Sequence, residues 1–141
     1  MLFRHFIPVL DLTDAGSDPI TGAAVRLTPL TTDPVQDGDQ GVLIWVEGEI
    51  SGGTNPTVQI ILEASPNGQT WAPFWQSGFQ TVSPFVLTAY PRVQPPGVLD
   101  PPALLGVVRA RVVPGGGAPG NLDRLRVLLG STAPLRAGRM A

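Results

Sequence analysis

The chain has 141 residues, 43% of them hydrophobic, with 17 glycines, 16 prolines and a net charge of −2 at neutral pH. That length holds one domain around a single core, and the apolar content excludes wholesale disorder. Glycine and proline without a period exclude a collagen-like repeat and leave few runs long enough for helix, so the expected fold is all-β, a small antiparallel β-sandwich or jelly-roll-like domain.

Residues 1–34 mix short apolar runs with turn formers: Pro8, Asp14-Ala15-Gly16-Ser17, Asp18-Pro19, Pro29 and Asp33-Pro34. Runs 6–12 and 23–30 have strand character without clean alternation. The segment reads as an extended N-terminal arm or as edge strands, with Phe3, Phe6 and Ile7 as the apolar residues an arm would press on a neighbouring subunit. Pro8 and Asp11 interrupt the first apolar stretch, which is too short for a signal-peptide core or a membrane span. The expectation is a soluble protein that is not exported.

Residues 35–131 carry the sandwich. In VLIWVEGEI (42–50), Ile44, Val46, Gly48 and Ile50 share one face and Leu43, Trp45, Glu47 and Glu49 the other. After SGGTNP, the run TVQIILEA (57–64) puts Val58, Ile60, Leu62 and Ala64 on one face. Folding the two symmetrically about Asn55 predicts a hairpin in which Ile50 meets Ile60, Gly48 meets Leu62 and Val46 meets Ala64, with the faces in agreement. Asn67-Gly68 predicts a second hairpin through a type I′ turn, with Trp71 opposite Ala64 and Trp75 opposite Ile60. Residues 81–82 and 85–89 are expected to be short strands. Pro91, Pro95-Pro96 and Pro101-Pro102 then make a stiff connection that cannot lie inside a sheet.

Runs 106–113 and 122–130 flank PGGGAPGN and predict a last hairpin, pairing Val108 with Val127 and Ala110 with Leu125. It resembles the first long hairpin in turn style, so a weak internal repeat, one hairpin per sheet, is a further expectation. Residues 132–141 have no periodicity and are expected to be a flexible tail.

Sites for chemistry are scarce. With no cysteine, no disulfide, thiolate metal site or cysteine nucleophile is possible. His5 is the only histidine, at the end of the chain, where no rigid surroundings hold a catalytic base; a surface histidine is the simpler reading. Cross-strand pairing would set Glu63 opposite Glu47 and beside Glu49, three carboxylates on the face of Trp45. That face suits a sugar-binding platform or a glycosidase pair, although outward strand positions ordinarily carry charge. Asp33, Asp37 and Asp39 with Gly38 form an acidic loop whose spacing matches no EF-hand, so it reads as a turn. PGGGAPG joins strands and opens no helix, which excludes a phosphate loop.

All nine basic residues are arginine, and genomic composition is the simpler reason. In the last hairpin Arg109 would face Arg126 and Arg111 would face Arg124, and like charges directly opposite destabilise a sheet unless they are neutralised. Three neutralisers are open: the strand of Glu47 and Glu49 lying alongside, an acidic partner protein, or nucleic acid. Nucleic acid is the least favoured, because the overall charge is acidic.

The segments VEGEISGGTNPTVQIILEASPNGQTW and VVRARVVPGGGAPGNLDRLRVLLGS together resemble virion proteins of tailed bacteriophages: capsid decoration proteins, head fibres and tail components. The resemblance spans about residues 42–130. It implies a structural component of a phage or phage-like particle, a capsid decoration protein bound to the major capsid protein or other virion proteins in the virion, assembled in the host cytoplasm. It implies a symmetric homo-oligomer such as a trimer and offers no catalytic residues to carry over; the single histidine and absent cysteine predict no metal or other cofactor, the acidic balance no nucleic acid, and the short apolar stretch no membrane partner. Partner contacts would then fall on Phe3, Phe6, Ile7, Arg109, Arg111, Arg124 and Arg126. The alternative is a carbohydrate-binding or receptor-binding module using Trp45, Glu47, Glu49 and Glu63.

Overall fold

The computed structural model describes residues 5–27, 42–81, 83–89 and 106–131. Among them nine strands and no helix are present: β1 (His5–Thr13), β2 (Ile20–Thr21), β3 (Val25–Leu27), β4 (Val42–Ser51), β5 (Thr54–Ser65), β6 (Ala72–Gln76), β7 (Phe85–Ala89), β8 (Gly106–Ala118) and β9 (Asn121–Ser131). They form two antiparallel sheets. Sheet A has the order β1-β9-β4-β7, and sheet B the order β2-β8-β5-β6, with β3 also paired to β8. The sheets face each other across one apolar core, so the fold is a small β-sandwich.

The core is drawn from the alternating positions of both sheets. Ile44 and Val46 of β4 and Leu125, Val127 and Leu129 of β9 meet Ile60 and Leu62 of β5 and Val108, Ala110 and Val112 of β8. Gly48 is part of this inward row. A Cβ there would stand 2.5 Å from Phe85 Cζ and 2.8 Å from Cε1, so the missing side chain makes room for the Phe85 ring. Residues 5–27 are built into both sheets. β1 lies on β9 and buries Ile7, Val9 and Leu10, while β2 and β3 lie on β8.

Two predicted pairings are corrected. β4 and β5 do not form a hairpin: β4 pairs β9 and β7 in sheet A, and β5 pairs β8 and β6 in sheet B. β8 and β9 are likewise split between the sheets, so Val108 pairs Ala64 and Val127 pairs Val46. Both Gly-rich segments are arches that carry the chain from one sheet to the other. In the first, Gly52, Gly53 and Asn55 all have positive φ (75°, 71° and 44°), a conformation open to glycine and tolerated by asparagine. The second leans on the first, since a Cβ on Gly116 would run into the Asn55 carbonyl oxygen. The inferred faces were right because every apolar position points into the same core. The inferred partners were wrong because those positions meet across the sandwich, not within a sheet. The expected repeat of one hairpin per sheet therefore becomes two arches, each giving one strand to each sheet.

The second predicted hairpin forms, in a different register. Ala64 pairs Ala72 and Leu62 pairs Trp75, with a bulge at Leu62/Glu63. Gly68 alone of the central pair has positive φ, so the turn is not type I′. Side chains build it instead: Ser65 Oγ accepts from Gly68 N at 2.8 Å, and Asn67 Oδ1 accepts from Gln69 N at 2.8 Å and Thr70 N at 2.9 Å. Of the two expected short strands, 85–89 is β7; for 81–82, Thr81 is in no strand and Val82 lies outside the described residues, while the preceding Gln80 makes an isolated bridge to Val58.

Candidate functional site

The charged residues singled out in the sequence lie on the outer faces, and the arches decide which face each one occupies. Glu47 and Glu49 with Arg124 and Arg126 are on the outside of sheet A, where Glu47 pairs Arg126 and Glu49 pairs Arg124. Glu63 with Arg109 and Arg111 is on the outside of sheet B, where Glu63 pairs Arg109 and Ile61 pairs Arg111. The expected three-glutamate cluster with Trp45 therefore does not form: Glu63 is on the opposite side of the molecule from Glu47 and Glu49. Arg109 does not face Arg126, nor Arg111 Arg124. Each arginine strand lies beside a glutamate-bearing strand, which is the internal neutralisation left open by the sequence.

On sheet B the neutralisation is tight. Glu63 points outward yet is buried, 6% exposed. Arg109 Nε donates to Glu63 Oε1 at 2.8 Å, and Arg111 Nε stands 3.1 Å from Oε2, at ion-pair distance but outside hydrogen-bond geometry. The Arg109 guanidinium in turn lies 4.1 Å from the centre of the Trp71 ring. Trp71 comes from the start of the β6 side of the hairpin, where it caps the ion pair instead of lying on the apolar face. Both carboxylate oxygens are within ion-pair distance of guanidinium groups, so the Glu63 side chain is engaged within the sheet. Sequence reasoning missed this stack, because the pairing of β5 with β8 spans more than forty residues.

On sheet A the pairs are looser. Glu47 Oε1 is 3.9 Å from both Arg124 Nη2 and Arg126 Nη1, and Trp45 Nε1 donates to Glu47 Oε2 at 3.3 Å. Asp11 continues this row beyond Arg126, and Glu49 is exposed. Arg126 Nε, like Arg111 Nε, is buried without a hydrogen-bond partner.

Away from these pairs the outer face of sheet A is mostly apolar. Pro8, Leu128, Trp45 and Thr88 make one cross-strand row, and Phe6, Gly130 and Leu43 the next. The Phe6 ring lies over Gly130, where a Cβ would come within 2.6 Å of it, and Phe6 remains 42% exposed. A charged half and an apolar half thus share one face.

Of the expected partner contacts, Phe6, Arg124 and Arg126 are on this face, while Arg109 and Arg111 are committed to Glu63 on the other. Ile7 is in the core, 6% exposed, and is corrected as a contact residue. Trp45 is half-buried with its indole N–H bound to Glu47, so Trp45 itself is not an open platform. Phe3, Asp33, Asp37, Asp39, the proline-rich stretch 91–102, the tail 132–141 and the side chain of His5 lie outside the described residues. Among the described residues no group of three or more His, Asp or Glu is placed to hold a metal ion, and no helix is long and apolar enough to cross a membrane. No family model, curated protein or solved structure matches the chain.

Proposed function

We propose that this chain is a structural binding module that docks on a larger assembly through the outer face of sheet A, and that the assembly is a phage or phage-like particle on which it serves as a decoration protein. The docking part rests on one observation: Phe6 is presented at 42% exposure over Gly130, beside Pro8, Leu43, Trp45 and Leu128. Exposed apolar surface bordered by charge is the usual make-up of a protein-binding face. The particle part rests on the sequence resemblance alone. On a particle, many copies would act together, so a weak contact per copy suffices.

The sugar-binding alternative is less well supported, because the residues it needs are divided between two faces and Trp45 is half-buried. Density-gradient sedimentation of the native protein from its source cells tests the proposal. Co-migration with particles, lost in Phe6→Glu while the purified variant keeps its thermal stability, is the expected result. Native protein remaining at the top of the gradient would refute the particle reading, and co-migration unaffected by Phe6→Glu would refute the face.

A further inference from the structure

An asparagine followed by glycine is chemically labile. The glycine nitrogen gives its proton to hydroxide and bonds to the asparagine Cγ. The Cγ–Nδ2 bond then breaks, ammonia leaves with a proton from water, and a succinimide ring remains. Water opens either ring carbonyl to give aspartate or isoaspartate. The chain has three asparagines, and only Asn67 is placed for this reaction. Asn55 precedes Pro56, which has no N–H to lose. Asn121 precedes Leu122, a buried residue whose N–H donates to the Gly16 carbonyl at 2.9 Å. Asn67 precedes Gly68, where no side chain hinders the approach, and residues 66–70 are all exposed to water.

The folded turn engages both reacting groups. Gly68 N donates to Ser65 Oγ at 2.8 Å, and Asn67 N donates to the same oxygen at 3.2 Å. Ser65 is fully buried, so solvent does not compete for its hydroxyl. Asn67 Oδ1 accepts from Gln69 N, Thr70 N and Ser65 Oγ at 2.8, 2.9 and 3.0 Å, which assigns the oxygen end of the amide. Donors on Oδ1 would stabilise the oxyanion of the addition step, so they do not by themselves protect the amide. The turn withholds the nucleophile instead. The Gly68 proton is engaged by Ser65 Oγ and has to be freed before hydroxide can take it.

We propose that Asn67 is a site of spontaneous deamidation gated by the Ser65 hydroxyl, closed while the β5–β6 turn is intact and open when Gly68 N leaves Ser65 Oγ. The product bears on the sheet B ion pair. Isoaspartate routes the main chain through Cβ and Cγ, so the carbonyl that holds Gln69 N and Thr70 N becomes part of the main chain. That change falls just ahead of Trp71, whose ring covers the Arg109 guanidinium. The reaction consumes only water and depends on neither a partner nor the particle reading.

Peptide mapping by mass spectrometry of the full chain, aged in mildly alkaline buffer, follows the replacement of NH2 by OH at each asparagine. Asn67 is expected to convert before Asn55 and Asn121, and more slowly in the folded chain than in guanidinium chloride. Ser65→Ala, shown to be folded by its thermal melt, is expected to speed the folded-state reaction about tenfold. That factor equals about 1.4 kcal/mol of barrier, the net worth of about one hydrogen bond. Hydrogen exchange on the wild type needs no variant and begins from the same N–H, so the Gly68 amide should be protected. A folded chain that deamidates as fast as the unfolded one would overturn the gate, as would a Gly68 amide exchanging like that of an open peptide. A folded Ser65→Ala variant that ages like the wild type would remove Ser65 from the proposal and so defeat it. Conversion first at another asparagine would overturn the site itself.

Discussion

Replacing Glu63 by Gln keeps the shape of the side chain and removes its charge. The structure sets the size of the effect. Glu63 has 8% of its side chain exposed, and the side chains of Arg109 and Arg111 have 25% and 38%. A hydrogen bond to a charged group is worth roughly 1.5–3 kcal/mol, and removing one member of a fully buried ion pair costs roughly 3–5 kcal/mol. The Arg109 contact at 2.8 Å takes most of that value, while Arg111 is more exposed and outside hydrogen-bond geometry, so solvent screening reduces its share. The expected loss is about 2–3 kcal/mol in urea unfolding, which for a domain of this length corresponds to a fall in Tm of about 10 °C. Glu47→Gln is the matched control. Its arginine neighbours are 3.9 Å away with side chains 52% and 41% exposed, and it should cost less than about 1 kcal/mol. A Glu63→Gln variant no less stable than Glu47→Gln would refute the claim that the sheet B pair is held tightly by burial. So would a double-mutant cycle with Arg109→Met giving a coupling energy near zero.

Three other substitutions probe the frame. Gly48→Ala puts a methyl group 2.5 Å from Phe85 Cζ and 3.2 Å from Leu125 Cδ1, and overpacking of this kind costs about 1–3 kcal/mol. Adding Phe85→Leu should recover part of that loss in urea titrations, since the ring tip is the obstacle. Gly116→Ala combines a φ of 98° with a backbone collision, so a loss of about 3 kcal/mol or more, measured by the same titration, is expected. Ser77→Ala strands the buried Ile60 N–H, which donates to Ser77 Oγ at 2.9 Å, and should cost about 1–3 kcal/mol, with faster hydrogen exchange at the Ile60 amide.

The alternation of β4, β5, β8 and β9 was legible in the sequence because a strand's pleat is local: apolar residues two apart share a face whatever lies beside them. That is why Val46, Ile60, Val108 and Val127 were all correctly read as core. The turn at Asn67-Gly68 was legible for the same reason, although Ser65 and Asn67 side chains build it rather than the expected backbone type. Partner choice was not legible, because the pattern says which way a side chain points and not which strand it lies next to. β5 pairs in the opposite sheet from β4, and this single difference moves Glu63 away from Glu47 and under Arg109 and Trp71. Local patterning is enough to specify an all-β chain, its inward and outward strand positions and its supply of charge. Which charges meet and which carboxylate is buried follow instead from contacts between segments far apart in the chain.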